Sequence, residues 1–208
     1  MLKDLQIFCR CKVSRFTYNN KDSQIIKELR SRFGELQYEI YNNKVTWLGL
    51  KSKKVKNEDL KLIGELTSLE WLYLVSNKIT KIENLNKLVN LQKLDLEYND
   101  ITEIQGLDKL TKLEKLDLAC NQISKIKGLD NLDNLQELWL SNNQITEIKG
   151  LDGLINLQEL YITNNKITEI KGLDRLTNLQ EISFEENKIP EKEIEQFKNN
   201  NPEIKVYA

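Results

Sequence analysis

The chain lacks histidine entirely and has only three cysteines, two prolines and one methionine among its 208 residues. Without histidine, neither Ser-His-Asp nor Cys-His catalysis is possible, and zinc sites that need histidine are excluded. Three scattered cysteines cannot make a four-cysteine zinc site, and no GxxxxGK[ST], GxGxxG or EF-hand sequence occurs. The sequence therefore predicts a protein that is not an enzyme and has no cofactor or metal.

Long apolar runs are also missing. No run approaches the roughly 18 residues of a membrane span, and the amino terminus lacks the apolar stretch of a signal peptide. Cys9, Cys11 and Cys120 are an odd number without regular spacing, which favours reduced thiols. No Asn-x-Ser/Thr sequence occurs. These features predict a cytoplasmic protein, although a chain trimmed of its signal would have the same features.

What the chain has in abundance is a leucine pattern with a fixed interval of 22 residues. The pattern LxxLxxLxLxxNxIxxIxxLxx reads through six copies, which begin at Leu66, Leu88, Leu110, Leu132, Leu154 and Leu176. It resembles the leucine-rich repeat family in its 22-residue class, which includes bacterial internalins and the leucine-rich regulatory subunit of protein phosphatase type 1. The resemblance implies a solenoid, in a family whose members usually bind other proteins on the concave sheet.

The alternation within each copy, as in Leu94-Asp95-Leu96, predicts a short strand with both leucines inward. One repeat cannot fold alone, because ordering each of its residues costs about 1 to 2 kcal/mol, more than its framework side chains recover. Neighbouring copies must therefore stack. We expect an α/β solenoid, curved, with one parallel sheet of about eight short strands on the concave side and 3₁₀ turns or loops on the convex side. The predicted strands are 48–50, 72–74, 94–96, 116–118, 138–140, 160–162, 182–184 and 204–206.

Two further columns recur at the same interval, one of asparagine and one of glycine. The asparagines should bond to loop backbone where the strand ends, because a carboxamide both donates and accepts. Asn142, beside one of them, should point to solvent and contribute little. The glycines mark tight turns or close packing of neighbours. The columns are Asn77, Asn99, Asn121, Asn143, Asn165 and Asn187, and Gly106, Gly128, Gly150 and Gly172.

Both ends of the chain depart from the repeat and are predicted to be caps. Residues 1–65 form the N-terminal cap, with a strand over 5–11, a helix capped by Asp22 or Ser23 that ends at Gly34, a hairpin turning at 42–43, and a degenerate first repeat with a helix over 57–66. Residues 66–187 form the six repeats. Residues 188–208 form the C-terminal cap, with a helix over 191–199 and the last strand. Such caps cover apolar flanks and unpaired strand edges.

The solvent side of the strands varies from copy to copy, and variation on a fixed framework is typical of a recognition surface. Trp139 and Tyr161 should form one aromatic patch, and nearby carboxylates favour a partner with Lys or Arg near an apolar anchor. The candidate partner-binding residues are Trp71, Tyr73, Asp95, Asp117, Glu137, Trp139, Glu159 and Tyr161. The other interpretation is that the aromatic residues only cover neighbouring strands or contact the cap. We expect a monomer that binds a protein or peptide, with no small-molecule substrate.

The charge distribution supports a second hypothesis. Residues 1–65 carry 14 Lys and Arg against 8 Asp and Glu, and residues 66–208 carry 17 against 24, which gives +6 and −7. Lys51, Lys53, Lys54 and Lys56 at the basic end could bind nucleic acid or a membrane surface, or could form an ordinary solvated loop. A third interpretation is a purely scaffolding domain of a larger assembly.

Overall fold

The structure is a computed structural model that describes residues 20–208, and in these residues one nine-stranded sheet runs in chain order. The first strand pairs antiparallel with the second and the other eight are parallel, so the predicted parallel sheet of eight strands is confirmed, with one hairpin strand added. The elements are α1 Lys21–Phe33, β1 Gln37–Tyr41, β2 Lys44–Gly49, α2 Asn57–Ile63, β3 Trp71–Tyr73, β4 Lys93–Asp95, β5 Lys115–Asp117, β6 Glu137–Trp139, β7 Glu159–Tyr161, β8 Glu181–Ser183, α3 Glu191–Asn200 and β9 Lys205–Tyr207.

The strands of the regular repeats begin and end one residue earlier than predicted. Leu94, for example, lies at the centre of β4, and Leu96 lies just beyond the strand although it is equally buried. The Asp95 carboxylate accepts the Glu97 N–H at 3.0 Å, which turns the backbone out of the strand after Asp95. The two ends also differ: of the strand predicted over 48–50, residues 48–49 are the end of the longer β2 and Leu50 lies beyond it, and the last strand is one residue later than predicted. Each regular-repeat strand therefore has its central residue in the core and its first and last residues on the opposite face, where Asp117 and Ser183 are nevertheless buried.

The core is a continuous stack of the framework leucines and isoleucines, as the pattern predicted. In the first regular copy, Leu66, Leu69, Leu72 and Leu74 are all fully buried. On the convex side, successive i to i+3 backbone hydrogen bonds lead into each strand, for example from Leu91 N–H to the Leu88 carbonyl at 2.9 Å. This confirms short turns and loops rather than helices between the regular strands.

The asparagine column forms the predicted ladder between repeats. The Asn121 amide donates to the Leu96 carbonyl of the preceding repeat at 3.0 Å and to the Leu118 carbonyl of its own repeat at 3.1 Å. Its Oδ1 accepts the Ile101 N–H at 2.9 Å. The same pattern recurs in the other repeats, for example at Asn143. Each carboxamide therefore joins two repeats.

The residue before each asparagine adopts a left-handed backbone, which the sequence did not predict. Asn142 is exposed as expected, but it has φ 58° and its Oδ1 accepts from Asn164 Nδ2 at 2.8 Å. Its replacement by alanine would therefore strain the backbone and remove an inter-repeat bond. The residues in this conformation are Ser76, Tyr98, Cys120, Asn142, Asn164 and Glu186.

The recurrent glycines lie where a side chain would collide with the preceding repeat. Gly106 has φ +72°, and a Cβ there would lie 2.6 Å from the Ile82 carbonyl oxygen. Gly172 has φ +86°, and its Cβ would lie 2.2 Å from the Ile148 oxygen. The prediction of turns with close packing is confirmed.

The N-terminal helix and hairpin cover the first repeat. Helix α1 is capped by Asn20, whose side chain accepts the Ser23 N–H at 2.8 Å, so the predicted caps were wrong. Asp22 instead accepts the Val45 N–H at 2.9 Å and ties the helix to β2. Gly34, at φ 73°, ends the helix as predicted. The strand predicted over residues 5–11 lies outside the described residues.

The C-terminal helix and strand occur within one residue of their predicted bounds, but they pack loosely. Helix α3 has no buried residue, and its main anchor is Phe197, whose ring lies edge-on to Phe184 at 5.6 Å. A groove of about 970 Å³ remains between α3 and the last repeat. No helix within residues 20–208 is long and apolar enough to cross a membrane.

Candidate functional site

The concave face of the sheet consists of two columns of side chains, because the central residue of each regular-repeat strand points into the core and its first and last residues lie on the other face. The last-residue column holds Tyr73, Asp95, Asp117, Trp139, Tyr161, Ser183 and Tyr207. The first-residue column holds Trp71, Lys93, Lys115, Glu137, Glu159, Glu181 and Lys205. All eight candidate partner-binding residues lie in these two columns, so the structure places them on one face.

Trp139 and Tyr161 form a fixed pair of rings, which we call the C-terminal aromatic patch. Their centroids are 4.9 Å apart with the planes tilted by 57°, as expected for residues in register on adjacent strands. The Tyr161 hydroxyl lies 2.6 Å from Glu181 Oε1 and 3.0 Å from Glu159 Oε2. Burial and these bonds raise the pKa of Tyr161, and the same hydroxyl lowers the pKa of Glu181. The Glu159 carboxylate therefore helps to orient the Tyr161 ring.

Trp71 and Tyr73 belong to a second group, the N-terminal aromatic patch, whose third member is Trp47. The Trp47 and Tyr73 centroids are 5.8 Å apart, and Trp47 is the register partner of Trp71. Sequence reasoning did not include Trp47 in the site. The signal was present, because Trp47 precedes Trp71 by the same 24 residues that separate Leu48 in the degenerate first repeat from Leu72.

Two lysines that sequence reasoning left out of the site lie over the tryptophan rings. Lys93 Nζ is 5.0 Å from the Trp71 centroid, and Lys115 Nζ is 4.6 Å from the Trp139 centroid. Lys115 also pairs with Glu137 at 2.6 Å. The negative charge of Glu137 is therefore balanced within the sheet, which the sequence did not show.

Between the two patches lie Asp95 and Asp117, register partners on β4 and β5. Each carboxylate accepts a backbone N–H two residues further on, and the bond from Ala119 to Asp117 is 2.9 Å long. Burial raises the pKa of Asp95. Asp117 is only 8% exposed, and burial together with the charge of Asp95 raises its pKa to about 7, against the smaller attraction of Lys115. Burial also raises the pKa of the neighbouring Glu97.

The indole N–H groups of Trp71 and Trp139 are buried and have no hydrogen-bond acceptor within residues 20–208. What these tryptophans expose is therefore aromatic carbon and not the indole N–H.

The basic residues of the second hypothesis lie in the loop after β2. Lys51, Lys54 and Lys56 are exposed and Lys53 is partly so, while Val55 between them is buried. Burial raises the pKa of Asp95 and Glu97, and the charge of Lys51 opposes this effect, so Lys51 acts on the concave face.

A parallel sheet of stacked 22-residue units, joined by an asparagine ladder, defines the class of curved leucine-repeat solenoids. The family model described as Leucine Rich repeats (2 copies) matches residues 67–109, 89–131, 111–153, 133–175 and 155–199. The chain therefore belongs to the leucine-rich repeat family, as the resemblance implied.

Solved structures show the same fold and confirm the similarity to internalins. An internalin from Listeria monocytogenes has TM-score 0.65 and 28% identity, covering 82% of this chain and 51% of that one. A leucine-rich repeat protein from Leptospira interrogans has TM-score 0.57 and 28% identity, with 71% and 45% covered. Internalin C2 from Listeria monocytogenes has TM-score 0.64 and 25% identity, with 82% and 86% covered. The chain thus spans about half the length of the first two. A search of curated protein sequences found no match.

Proposed function

We propose that this protein is a non-enzymatic interaction module that binds a protein or peptide on its concave face, with the C-terminal aromatic patch as the main anchor. The leucine-rich repeat fold is a general protein-interaction module, which supports the class of function. The observation that carries the proposal is the tilted ring pair of Trp139 and Tyr161 on the solvent side of the sheet.

The patch is organised before any partner arrives. Lys115 lies over one ring, and Glu181 and Glu159 hold the hydroxyl of the other. Side chains that are already fixed lose little conformational entropy on binding, and Trp and Tyr are the commonest anchors in interfaces. The acidic residues around the patch favour a partner with Lys or Arg near an apolar side chain.

The proposal is tested with the double variant Trp139→Ala/Tyr161→Ala. A partner recovered from the native source should bind it more weakly by at least about 2 kcal/mol, a typical loss for interface anchors. Folding should persist, because the framework leucines are untouched, and circular dichroism checks this. The matched control is Val89→Ala/Ile155→Ala, which removes exposed apolar groups, 47% and 52% exposed, outside both concave columns. Unchanged binding by the first variant, or equal loss in the control, contradicts the proposal.

The basic end gives the second candidate function, binding of an anionic partner, and three of its four lysines are exposed. Binding to nucleic acid or anionic vesicles should then weaken steeply as salt rises and should fall when Lys51, Lys54 and Lys56 are replaced by glutamine. Binding that is insensitive to salt excludes it. A purely scaffolding role, a monomeric state and a cytoplasmic location remain predictions.

A further inference from the structure

We infer that the concave face takes an extended partner segment of the form apolar-x-Lys/Arg-x-apolar, laid across β3 to β6 along the last-residue column. Its first apolar side chain would contact Tyr73, its basic side chain the two aspartates, and its second apolar side chain Trp139. The inference rests on the proposed function, because it takes part of the C-terminal aromatic patch as one of its two anchors.

The spacing of the column agrees with the geometry of an extended chain. Tyr73, Asp95, Asp117 and Trp139 are successive register partners on four adjacent strands. Neighbouring strands lie about 4.8 Å apart, so the two aromatic residues are about 14 Å apart, with the aspartate pair about 7 Å from each. An extended segment rises about 3.4 Å per residue and turns every second side chain to one face. Residues i, i+2 and i+4 therefore reach the three positions together.

The charge at the centre of the column calls for a cation. Asp95 and Asp117 lie side by side, Asp117 buried and Asp95 partly buried, and burial disfavours their charged forms, so the pKa of each carboxyl is raised. An ammonium or guanidinium group placed between them would restore the lost stabilisation with charge-assisted hydrogen bonds. The partner group that fits between the two carboxylates is therefore a single Lys or Arg side chain.

The charged groups around the pair offset its charge only in part. Lys93 lies over the Trp71 ring and Lys115 over the Trp139 ring, and Lys115 also pairs with Glu137. The charges of Lys115 and Lys51 oppose the effect of burial on the pKa of Asp95 without reversing it, and Glu97 adds negative charge. The remaining titratable neighbours, Tyr73 and the Cys120 thiol, are partly buried, and burial raises the pKa of each.

An extended segment suits these columns better than a helix does. A helix is about 10 to 12 Å across with its side chains. The two columns are only about 7 Å apart, because they are two residues apart along each strand. A basic helix would therefore also lie over Lys93 and Lys115 in the first-residue column. An extended segment covers the last-residue column alone.

The experiment is a selection of peptides that does not require the native partner. A phage library of random 12-residue peptides is selected on the full chain alone, and the enriched peptides are then compared on the variant Asp95→Asn/Asp117→Asn. Asparagine keeps an oxygen to accept the Glu97 and Ala119 N–H groups, and circular dichroism confirms that the variant folds. The expected enriched motif is apolar-x-Lys/Arg-x-apolar.

A synthetic peptide of the enriched sequence supplies the quantitative arms. Its affinity should fall at least tenfold on the Asp95→Asn/Asp117→Asn variant, and by a similar factor when its basic residue is replaced by norleucine. Its binding to the wild-type chain should weaken between pH 8 and pH 6, because protonation of Asp117 removes the charge that the cation binds. The norleucine peptide should show no such pH dependence.

Failure of this inference can be told apart from failure of the proposed function. Selected peptides without a central basic residue, peptides that bind both proteins equally, peptides with helical spacing, or no selected peptide at all would each overturn the inference. If binding is lost on Trp139→Ala/Tyr161→Ala but kept on Asp95→Asn/Asp117→Asn, the concave patch stands and only the segment is wrong. If the selected peptides bind both variants as tightly as they bind the wild-type chain, the proposed function fails together with the inference.

Discussion

At the scale of single residues, the asparagine ladder is the clearest link between sequence and stability. Asn121→Ala should cost about 1 to 3 kcal/mol of unfolding free energy, because it leaves the buried Ile101 N–H without a partner and removes the bond to the Leu96 carbonyl, which then keeps only its bond from Asn99. Urea unfolding measures the loss. The control is the adjacent Gln122→Ala, an exposed position where the change should stay within about 0.5 kcal/mol. Equal losses in the two variants would remove the structural role of the column.

Asp117 makes stability depend on pH in the less common direction. Its pKa in the folded protein, about 7, lies above its ordinary value of 3.8, so between these values the folded state holds a proton that the unfolded state has lost. Stability should therefore fall as pH rises from about 4 to 7 and then level off. Asp117→Asn should remove this slope and raise stability at pH 8 by about 1 to 3 kcal/mol. Urea unfolding at pH 5 to 8 tests this, and an unchanged slope in the variant contradicts it.

The sequence predicted residues whose role repeats and missed those whose role depends on a neighbour. The framework leucines and the asparagine column recur every 22 residues, so their burial follows from the pattern alone. The left-handed position before each asparagine holds four other residue types beside asparagine, among them Tyr98 and Cys120, so no composition signal marks it. The contacts of Lys115 with Glu137 and Trp139 depend on side-chain direction, which the sequence alone does not show.

At the scale of elements, strong local signals placed the cap but not its connections. Gly34 ends α1 and the pair at 42–43 turns the hairpin, because both sites need backbone conformations that few residues adopt easily, with φ 73° at Gly34 and 48° at Asn42. The capping residue was missed because Asn20, Asp22 and Ser23 are all good caps. Only the folded structure shows that the Asp22 carboxylate accepts a hydrogen bond from the Val45 N–H and so does not cap the helix.

Removal of residues 1–43 tests whether these elements act as a cap. The truncation deletes α1, with the buried Ile25, Ile26 and Leu29, and leaves the edge of β2 without its β1 partner. An uncovered apolar flank beside an open strand edge should make the protein poorly soluble or self-associating. Light scattering after size exclusion measures this, against a control chain that begins at residue 20. A monodisperse truncation of equal stability would show that the segment is an independent appendage.

At the scale of the whole molecule, the solenoid is held together by contacts between neighbouring repeats, so its stability need not be uniform. The central strands are fully packed, and Leu116 is 0% exposed. Towards the C-terminus the packing loosens: Leu179 is 5% exposed, α3 buries no residue, and a groove of about 970 Å³ lies beside it. The C-terminal end should therefore open before the centre.

Matched leucine substitutions measure this gradient. Leu116→Ala should cost about 2 to 5 kcal/mol, because the cavity lies between repeats packed on both sides and cannot collapse. Leu179→Ala removes the same atoms where the neighbouring cap can adjust, so it should cost less. In hydrogen exchange, Leu116→Ala should speed exchange on both sides of β5, because breaking a central contact uncouples two halves of the stack. Leu179→Ala should speed exchange only in β8, α3 and β9. Equal losses with the same exchange pattern would mean that the chain unfolds as one unit, without a weaker end.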